Sequence, residues 1–414
     1  MVELLFVDSL SGDSPAGKAQ AVSLALLGQV LAHTQPDWKI RTVATVDMAI
    51  EQLVRRPAQV VLAQLDDAAL SFPRLFAAVS HLCPAAIRLA AVSAGSAASA
   101  AMSQQLPAQV PLAHQCMPAG MEASRAQIVL SAAVAVAERL QGNPELARVI
   151  CHLKDVPSPP ALYFDIREQL QARDGTVSQM AAIAERDPAL VARVLKIANS
   201  GFFGLPRSVN DLSAAIGMIG TDALLSLVLS SHLYAGLPPP GLNLDVLWRH
   251  ALEVSKLARD IAKAEGGSRA EQNSAGTAGL LHDVGLMVLL QNESARYQPL
   301  WRRAAGDEAQ LVQLERAQFG VDHGELGALV LMLWTLPADV VLAVAHSHGH
   351  QAGVPALASR AVLAAEWLLG PSDVPFDAAG APPALTRVAT PAFAESLQRW
   401  QHLRSALPAR AQVG

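Results

Sequence analysis

The sequence predicts an α/β N-terminal domain with a five-stranded parallel sheet, followed by an all-α helical domain. Three observations predict this. Short β-branched runs alternate with Ala- and Leu-rich helical patterns over the first 140 residues. Pro157, Pro159 and Pro160 then interrupt any helix. Beyond them, apolar residues recur at helical spacing. We therefore divide the chain into residues 1–140, a linker helix and Pro-rich hinge at 141–160, a helical domain at 161–370, and a tail with a C-terminal helix at 371–414.

The predicted strands of the first domain are residues 3–7, 38–43, 60–65 and 87–92, with a weaker one at 110–113. Helical patterns lie between and after them, at residues 17–31, 47–55, 73–82, 96–105 and 124–140. This alternation indicates a parallel sheet covered by helices on both faces. Functional residues of such sheets lie at the carboxyl ends of the strands.

Helix-boundary signals organise the second part. Asp187-Pro188 supplies an N-cap and a proline at the first helical position, which predicts a helix over residues 188–199. Further helices are predicted at 177–186 and after Asn210-Asp211. In the tail, the pattern at 392–407 predicts an amphipathic helix that packs on the bundle, with a homodimer contact as the alternative.

Composition excludes several classes of function. The formal charge is −5, so the chain lacks the basic field typical of nucleic-acid binding. No uninterrupted apolar run is long enough to cross a bilayer, and the N-terminus has no signal-peptide pattern, so we expect no membrane insertion. Cys83, Cys116 and Cys151 have neither metal-ligand spacing nor a disulfide framework. We expect a cytoplasmic protein.

The segments LLFVDS, PAQVVLAQLDD and PAAIRLAAVSA resemble the receiver domain of bacterial response regulators, which has a flavodoxin-like fold. The resemblance implies a phosphorylation pocket formed by Asp8, Gln64 and Ser93. Gln64 stands in the phospho-acceptor position and cannot form an acyl phosphate. Asp66 and Asp67 could instead be acceptors, but a loop position is the preferred interpretation. We interpret this domain as a degenerate receiver that binds a partner or packs.

Residues 155–350 resemble the HDOD domain, a divergent branch of the HD metal-dependent phosphohydrolases found in bacterial signalling proteins. The segments that carry the resemblance, in chain order, are IAERDPALVARVLKIANSGFFGLP, LSAAIGMIG, LWRHALEVSKLA, AGLLHDVGLMVL and FGVDHGELGALVLMLWTLP. The resemblance implies an HD-like helical fold and a role in signal transduction.

An adjacent histidine and aspartate on a helix can converge on one metal ion, which is the ligand chemistry of a hydrolytic site. His282 and Asp283 form such a pair. By resemblance to active HD enzymes, the remaining ligands of a divalent ion (Fe, Mn or Zn) would be His250, His323, His348 and Glu366.

Several departures from the HD pattern argue against turnover. HD phosphohydrolases usually have Gly-Lys after the pair, and a lysine there would help to neutralise phosphate oxygens. Leu286 takes its place here. Ser347 replaces one histidine of a paired His-His, and Glu366 replaces a distal aspartate. The loop that marks cyclic-di-GMP-hydrolysing relatives is absent after HSHGH.

Two interpretations of these histidines stay open. They could form a buried hydrogen-bonded cluster inherited from an enzyme, or they could still hold one metal ion. Arg193, Lys196 and Arg207 are most simply solvated or structural, but they could bind an anionic partner or a nucleotide.

The function that we predict is non-catalytic signalling, in which a degenerate receiver and an HDOD module act on other signalling proteins. The alternative is a metal-dependent phosphohydrolase acting on a nucleotide or cyclic dinucleotide. A nucleotide sensor without turnover is a third possibility.

Overall fold

The structure is a computed structural model, and it describes residues 2–8, 24–64, 68–92, 113–118, 123–153, 161–172, 175–198, 209, 211–233, 244–348, 356–369, 385 and 392–405. The chain divides into two compact units. The first comprises residues 1–158, 316–321 and 329–336, and the second comprises residues 159–315, 322–328 and 337–414.

The first unit contains a five-stranded parallel sheet. Its strands are β1 (Val2–Asp8), β2 (Trp38–Val43), β3 (Val60–Gln64), β4 (Ile87–Val92) and β5 (Gln115–Pro118), in the spatial order β2-β1-β3-β4-β5. This is the order of flavodoxin-like doubly wound sheets. All five residues of β3 are buried, as expected for a central parallel strand covered on both faces. The predicted α/β fold class is confirmed.

Helices of the first unit alternate with these strands. They are α1 (Leu24–Thr34), α2 (Val46–Arg55), α3 (Ala68–Leu82), α4 (Ala123–Gln141) and α5 (Pro144–His152). Thr45 caps α2 by accepting a hydrogen bond from the Met48 backbone N–H, and Asn143 caps α5 in the same way. The predicted helix at 96–105 lies outside the described residues.

The fifth strand begins later than predicted, at Gln115 rather than near residue 110. Two polar residues, His114 and Gln115, are fully or almost fully buried here. The His114 backbone N–H donates to the Arg88 carbonyl, and the His114 ring also contacts the Arg88 guanidinium. Because polar residues usually lie at the surface, the sequence pattern favoured the apolar run before them as the strand.

Helices form the second unit, whose described elements in chain order are α6 (Ala161–Gln171), α7 (Val177–Ala184), α8 (Pro188–Ala198), α9 (Leu212–Ile219), α10 (Thr221–Leu233), α11 (Leu244–Ala264), α12 (Arg269–Leu281), α13 (Val284–Asn292), α14 (Ser294–Ala304), α15 (Glu308–Phe319), α16 (His323–Leu333), α17 (Ala338–Ala345), α18 (Leu357–Leu369) and α19 (Ala392–Ser405). The last part of α15 and the second half of α16 belong to the first unit. The predicted helical fold is confirmed.

At the centre of the second unit, α11 packs against α12 and α18, and α17 packs against α12 and α18. The C-terminal helix α19 also packs on α11: Trp400 Nε1 and Arg399 both donate to the Glu265 carboxylate, at 3.1 and 2.8 Å. Among the described residues, no single helix has the length and apolar composition needed to cross a bilayer. The helices Leu212–Ile219 and Ala223–Leu229 reach that length and composition only when they are taken together, and the pair is bent by 104°.

Candidate metal centre

Six side chains that the sequence singled out converge within the second unit. They fall into two triads, in each of which one ligand atom per residue lies within 4.8 Å of the others. We call His250, His282 and Glu366 the first triad, and Asp283, His323 and His348 the second triad. The six residues lie far apart in the sequence. Their side chains meet because they are carried by α11, α16, α18 and the segments that follow α12 and α17.

In the first triad, the Glu366 carboxylate lies between two imidazoles. Its Oε1 is 3.2 Å from His250 Nε2 and 3.0 Å from His282 Nε2. The His282 side chain is completely buried, whereas that of His250 is 27% exposed. The first triad therefore has one side that solvent can reach.

The second triad adjoins the first. Asp283 Oδ1 lies 3.3 Å from His282 Nε2 and 3.7 Å from His323 Nε2, so this carboxylate faces ligands of both triads. The ring centroids of His323 and His348 are 4.3 Å apart. A further carboxylate, Glu308 Oε1, lies 3.3 Å from His323 Nε2.

Outer contacts fix the orientation of two of the histidines. His282 Nδ1 lies 2.7 Å from the Gly279 carbonyl, which can only accept, so Nδ1 carries the proton and donates it. His323 Nδ1 likewise donates to the Glu315 carboxylate at 2.7 Å. In both rings, Nε2 is buried and makes no hydrogen bond. This is how proteins hold histidines that bind metal through Nε2.

The Glu315 carboxylate accepts the hydrogen bonds that hold His323 in place. It is completely buried, and it accepts hydrogen bonds from the His323 backbone N–H and from the Tyr297 hydroxyl as well as from Nδ1. Burial and the Glu315 charge raise the pKa of Tyr297, which keeps its hydroxyl a donor. The three donors compensate the burial of this carboxylate.

Two glycines allow the helices that carry the second triad to approach. A Cβ on Gly285 would lie 1.9 Å from the His323 carbonyl oxygen and 2.6 Å from the Gly327 nitrogen. A Cβ on Gly327 would in turn lie 2.9 Å from Val284 Cγ1. Only glycine fits at such a crossing. Gly285, two residues after Asp283, therefore allows Asp283 to lie close to His323.

Electrostatics show that the cluster requires a positive charge. Burial opposes protonation of His282, but the Asp283 and Glu366 carboxylates raise its pKa well above its usual value. Burial likewise opposes protonation of His323, yet Glu315 and the neighbouring carboxylates raise its pKa to about 10. A neutral Nε2 lone pair facing a carboxylate is repulsive, so either a proton or a metal ion must lie between them.

A divalent ion fits this donor set. Imidazole nitrogens and carboxylate oxygens are the ligands that Fe, Mn and Zn accept in proteins. His282 Nε2, His323 Nε2 and Glu366 Oε1 are buried and make no hydrogen bond, and they are the atoms that an ion would contact. An ion here would take the place of the protons on these groups.

Comparison with known families identifies the module. Residues 156–350 match the HDOD domain family.

The chain contains an HDOD domain.

Similarity to individual proteins is more distant. An uncharacterized protein of Treponema pallidum (strain Nichols) is 27% identical over 202 residues, which cover 49% of this chain and 39% of that protein. The chain thus spans well under half the length of this relative. An HDOD domain protein of unknown function from Geobacter sulfurreducens is 22% identical, with a TM-score of 0.48, and covers 63% of this chain and 92% of that one. The MmoQ response regulator from Methylococcus capsulatus is 24% identical, with a TM-score of 0.31, and covers 58% and 90%.

Two departures from the HD pattern have a clear structural outcome in the HDOD domain. Leu286 is buried within α13, so the position of the expected lysine carries no charge. Ser347 is also buried, and its hydroxyl donates to the Val344 carbonyl at 2.8 Å. Neither residue belongs to a triad.

The sequence missed Glu308 and Glu315. They are seven residues apart on α15, which places both on one face of the helix. That spacing is the signal that could have found them. Glu308 looked instead like an ordinary acidic residue in a first helical turn.

The other candidate residues lie away from this centre or outside the described residues. Asp8 and Gln64 are register partners at the carboxyl ends of β1 and β3, in the first unit. Gln64 is buried. Arg193 lies on α8 and is half-buried. Ser93, Asp66, Asp67, Arg207 and the side chain of Lys196 lie outside the described residues.

Proposed function

We propose that this chain is a non-catalytic signal-transduction protein whose HDOD domain binds divalent metal and transmits its bound state to other signalling proteins. The observation that supports metal binding is the pair of buried imidazoles of His282 and His323. Their Nδ1 protons are donated in hydrogen bonds, and their Nε2 atoms make no hydrogen bond. The three cysteines form no disulfide, which supports a cytoplasmic location.

The absence of turnover rests on the groups that surround the metal. Hydrolysis of a phosphate ester needs positive charge on the phosphoryl oxygens in the transition state. Leu286 supplies none at the position where HD enzymes carry lysine, and the Ser347 hydroxyl is engaged by Val344. When bound, a divalent ion would act as a Lewis acid, but these residues do not complete the site.

A degenerate receiver is the second part of the proposal. Gln64 lies beside Asp8 where a phospho-acceptor would stand, and an amide cannot form an acyl phosphate. The sheet would then serve as a binding module for a protein partner. Acetyl phosphate with Mg²⁺ should leave the chain unlabelled; a phosphorylated Asp66 or Asp67 would contradict this.

A metal-dependent phosphohydrolase is the second candidate. Asp283 favours it, because this carboxylate faces ligands of both triads, as required for two adjacent metal ions. The metal-loaded chain should therefore be assayed with phosphomonoesters and cyclic dinucleotides. We expect no turnover above that of the His282→Ala variant. Turnover that His282→Ala abolishes would establish the hydrolase instead.

A further inference from the structure

We propose that Glu308 is a displaceable ligand of a metal ion at the second triad. We further propose that its carboxylate occupies the position at which an external oxyanion of the phosphate class would bind. The inference rests on the proposed metal centre and adds to it a means by which a ligand could be sensed. Glu308 lies within the residues that match the HDOD domain, but it is in none of the sequence segments that carried the resemblance.

Distances place Glu308 among the ligands. Its Oε1 is 3.3 Å from His323 Nε2 and 3.5 Å from His348 Nδ1. Asp283 Oδ1, which the sequence did predict, lies 3.7 Å from the same His323 nitrogen. The Glu308 carboxylate is therefore closer to His323 Nε2 than the aspartate is.

Exposure distinguishes Glu308 from the other groups. Its side chain is 46% exposed, whereas those of Asp283 and His323 are 7% and 0% exposed. A buried ligand cannot leave without opening the bundle. A half-exposed carboxylate can rotate into solvent, where its charge is hydrated.

The backbone gives Glu308 this place at the edge of the centre. Ala305 and Gly306 adopt left-handed conformations, with φ of 49° and 89°, and turn the chain from α14 into α15. Asp307 then accepts a hydrogen bond from the Gln310 N–H at 3.0 Å and caps α15. Because Asp307 provides the cap, the carboxylate of Glu308 is available to the second triad.

The chemistry of the position defines what could replace Glu308. A hard anionic oxygen lies between two imidazoles here, so a replacement must offer negatively charged oxygen. Inorganic phosphate or a terminal phosphomonoester has several such oxygens, and it could contact the metal through one oxygen while others remain solvated. Displacement would free Glu308 and the start of α15, which is a conformational change that a partner protein could detect.

The test uses the full chain loaded with Mn²⁺ and inorganic phosphate as the probe. The variants are Glu308→Gln and, as matched control, Asp307→Asn, which also removes one carboxylate from this turn but keeps a capping side chain. We expect Glu308→Gln to bind Mn²⁺ about tenfold more weakly and phosphate at least about tenfold more tightly than the unmodified chain. Calorimetry gives both affinities, and the Mn²⁺ EPR spectrum of the unmodified chain should change when phosphate is added.

The outcomes separate the two proposals. If the unmodified chain binds no Mn²⁺, the metal centre itself is wrong. If it binds Mn²⁺ but Glu308→Gln behaves like Asp307→Asn, Glu308 is not a ligand. If Glu308→Gln weakens Mn²⁺ alone and leaves phosphate affinity unchanged, Glu308 is a ligand but holds no oxyanion position. Glu308→Ala provides a second variant, and circular dichroism confirms that each is folded.

Discussion

At the scale of single residues, the HDOD domain is organised by which nitrogen of each histidine is engaged. His282 and His323 both use Nδ1 for an outer contact, and this directs Nε2 towards carboxylates. The partners differ, since one is a backbone carbonyl and the other the buried carboxylate of Glu315. That difference makes His323 the ring whose environment a side-chain substitution can change.

Glu315 is expected to control metal affinity without touching the metal. Glu315→Gln removes the charge that orients the His323 Nδ1–H and should weaken metal binding by about 10- to 100-fold. Tyr297→Phe removes one donor to Glu315 and should have a smaller effect in the same direction. Chelator competition measures both affinities. Equal affinities in all three proteins would show that the Tyr297–Glu315 contacts only stabilise the fold.

A second residue-scale prediction concerns the first unit. Burial, together with the nearby Arg88 charge, lowers the pKa of His114 well below its usual value, so the folded state holds this ring neutral. The unfolded state protonates it below about pH 6.5. Unfolding is therefore favoured as pH falls from that point, by up to about 1.4 kcal/mol per pH unit from this group.

Urea denaturation at pH 7.5, 6.5 and 5.5 tests this sign. His114→Gln should lose stability less steeply than the unmodified chain as pH falls below 6.5. His81→Gln, at an exposed position on α3, serves as the control and should keep the original slope. A steeper slope in His114→Gln would contradict the assignment.

At the scale of elements, the approach of α13 to α16 decides whether the second triad exists. Gly285→Ala would place a methyl group against the His323 carbonyl oxygen and should separate the two helices. We expect a loss of about 1–3 kcal/mol in the free energy of unfolding, with a loss of metal binding. Gly217→Ala, on α9 where nothing lies within 4 Å of the new methyl, should be neutral or stabilising by up to about 1 kcal/mol. Thermal melts of both variants give the comparison, and similar melting temperatures would refute the close-packing role.

Elements also show where sequence reasoning succeeds and where it fails. The strand over Trp38–Val43 was predicted with its observed bounds, because β-branched residues and the polar residues that flank them are local signals of a strand. The fifth strand was displaced, because the buried ring of His114 beside it contacts Arg88, which is distant in sequence. The side chains of the two triads could be named in advance from the His-Asp pair and the resemblance to HD enzymes, but their division into triads depends on helix packing that no local pattern contains.

At the scale of the whole molecule, the chain combines two units whose sequences resemble catalytic frameworks and depart from them in different ways. In the first unit, Gln64 is the register partner of Asp8, and in the proposed degenerate receiver it would stand where a phospho-acceptor is needed. The HDOD domain keeps the side chains of both triads but has leucine and serine at the positions where the resemblance to HD enzymes implies lysine and histidine. We therefore expect metal binding to be retained where phosphorylation and hydrolysis are lost.

Metal analysis of the purified full chain tests this account most directly. After loading with Mn²⁺, Fe²⁺ or Zn²⁺ and desalting, inductively coupled plasma mass spectrometry should find at least one equivalent of metal per chain. His282→Ala should lose most of it, while His81→Ala should retain it. A chain that is folded by circular dichroism and keeps no metal under any of these conditions would contradict the metal centre, and would leave the histidines as a protonated structural cluster.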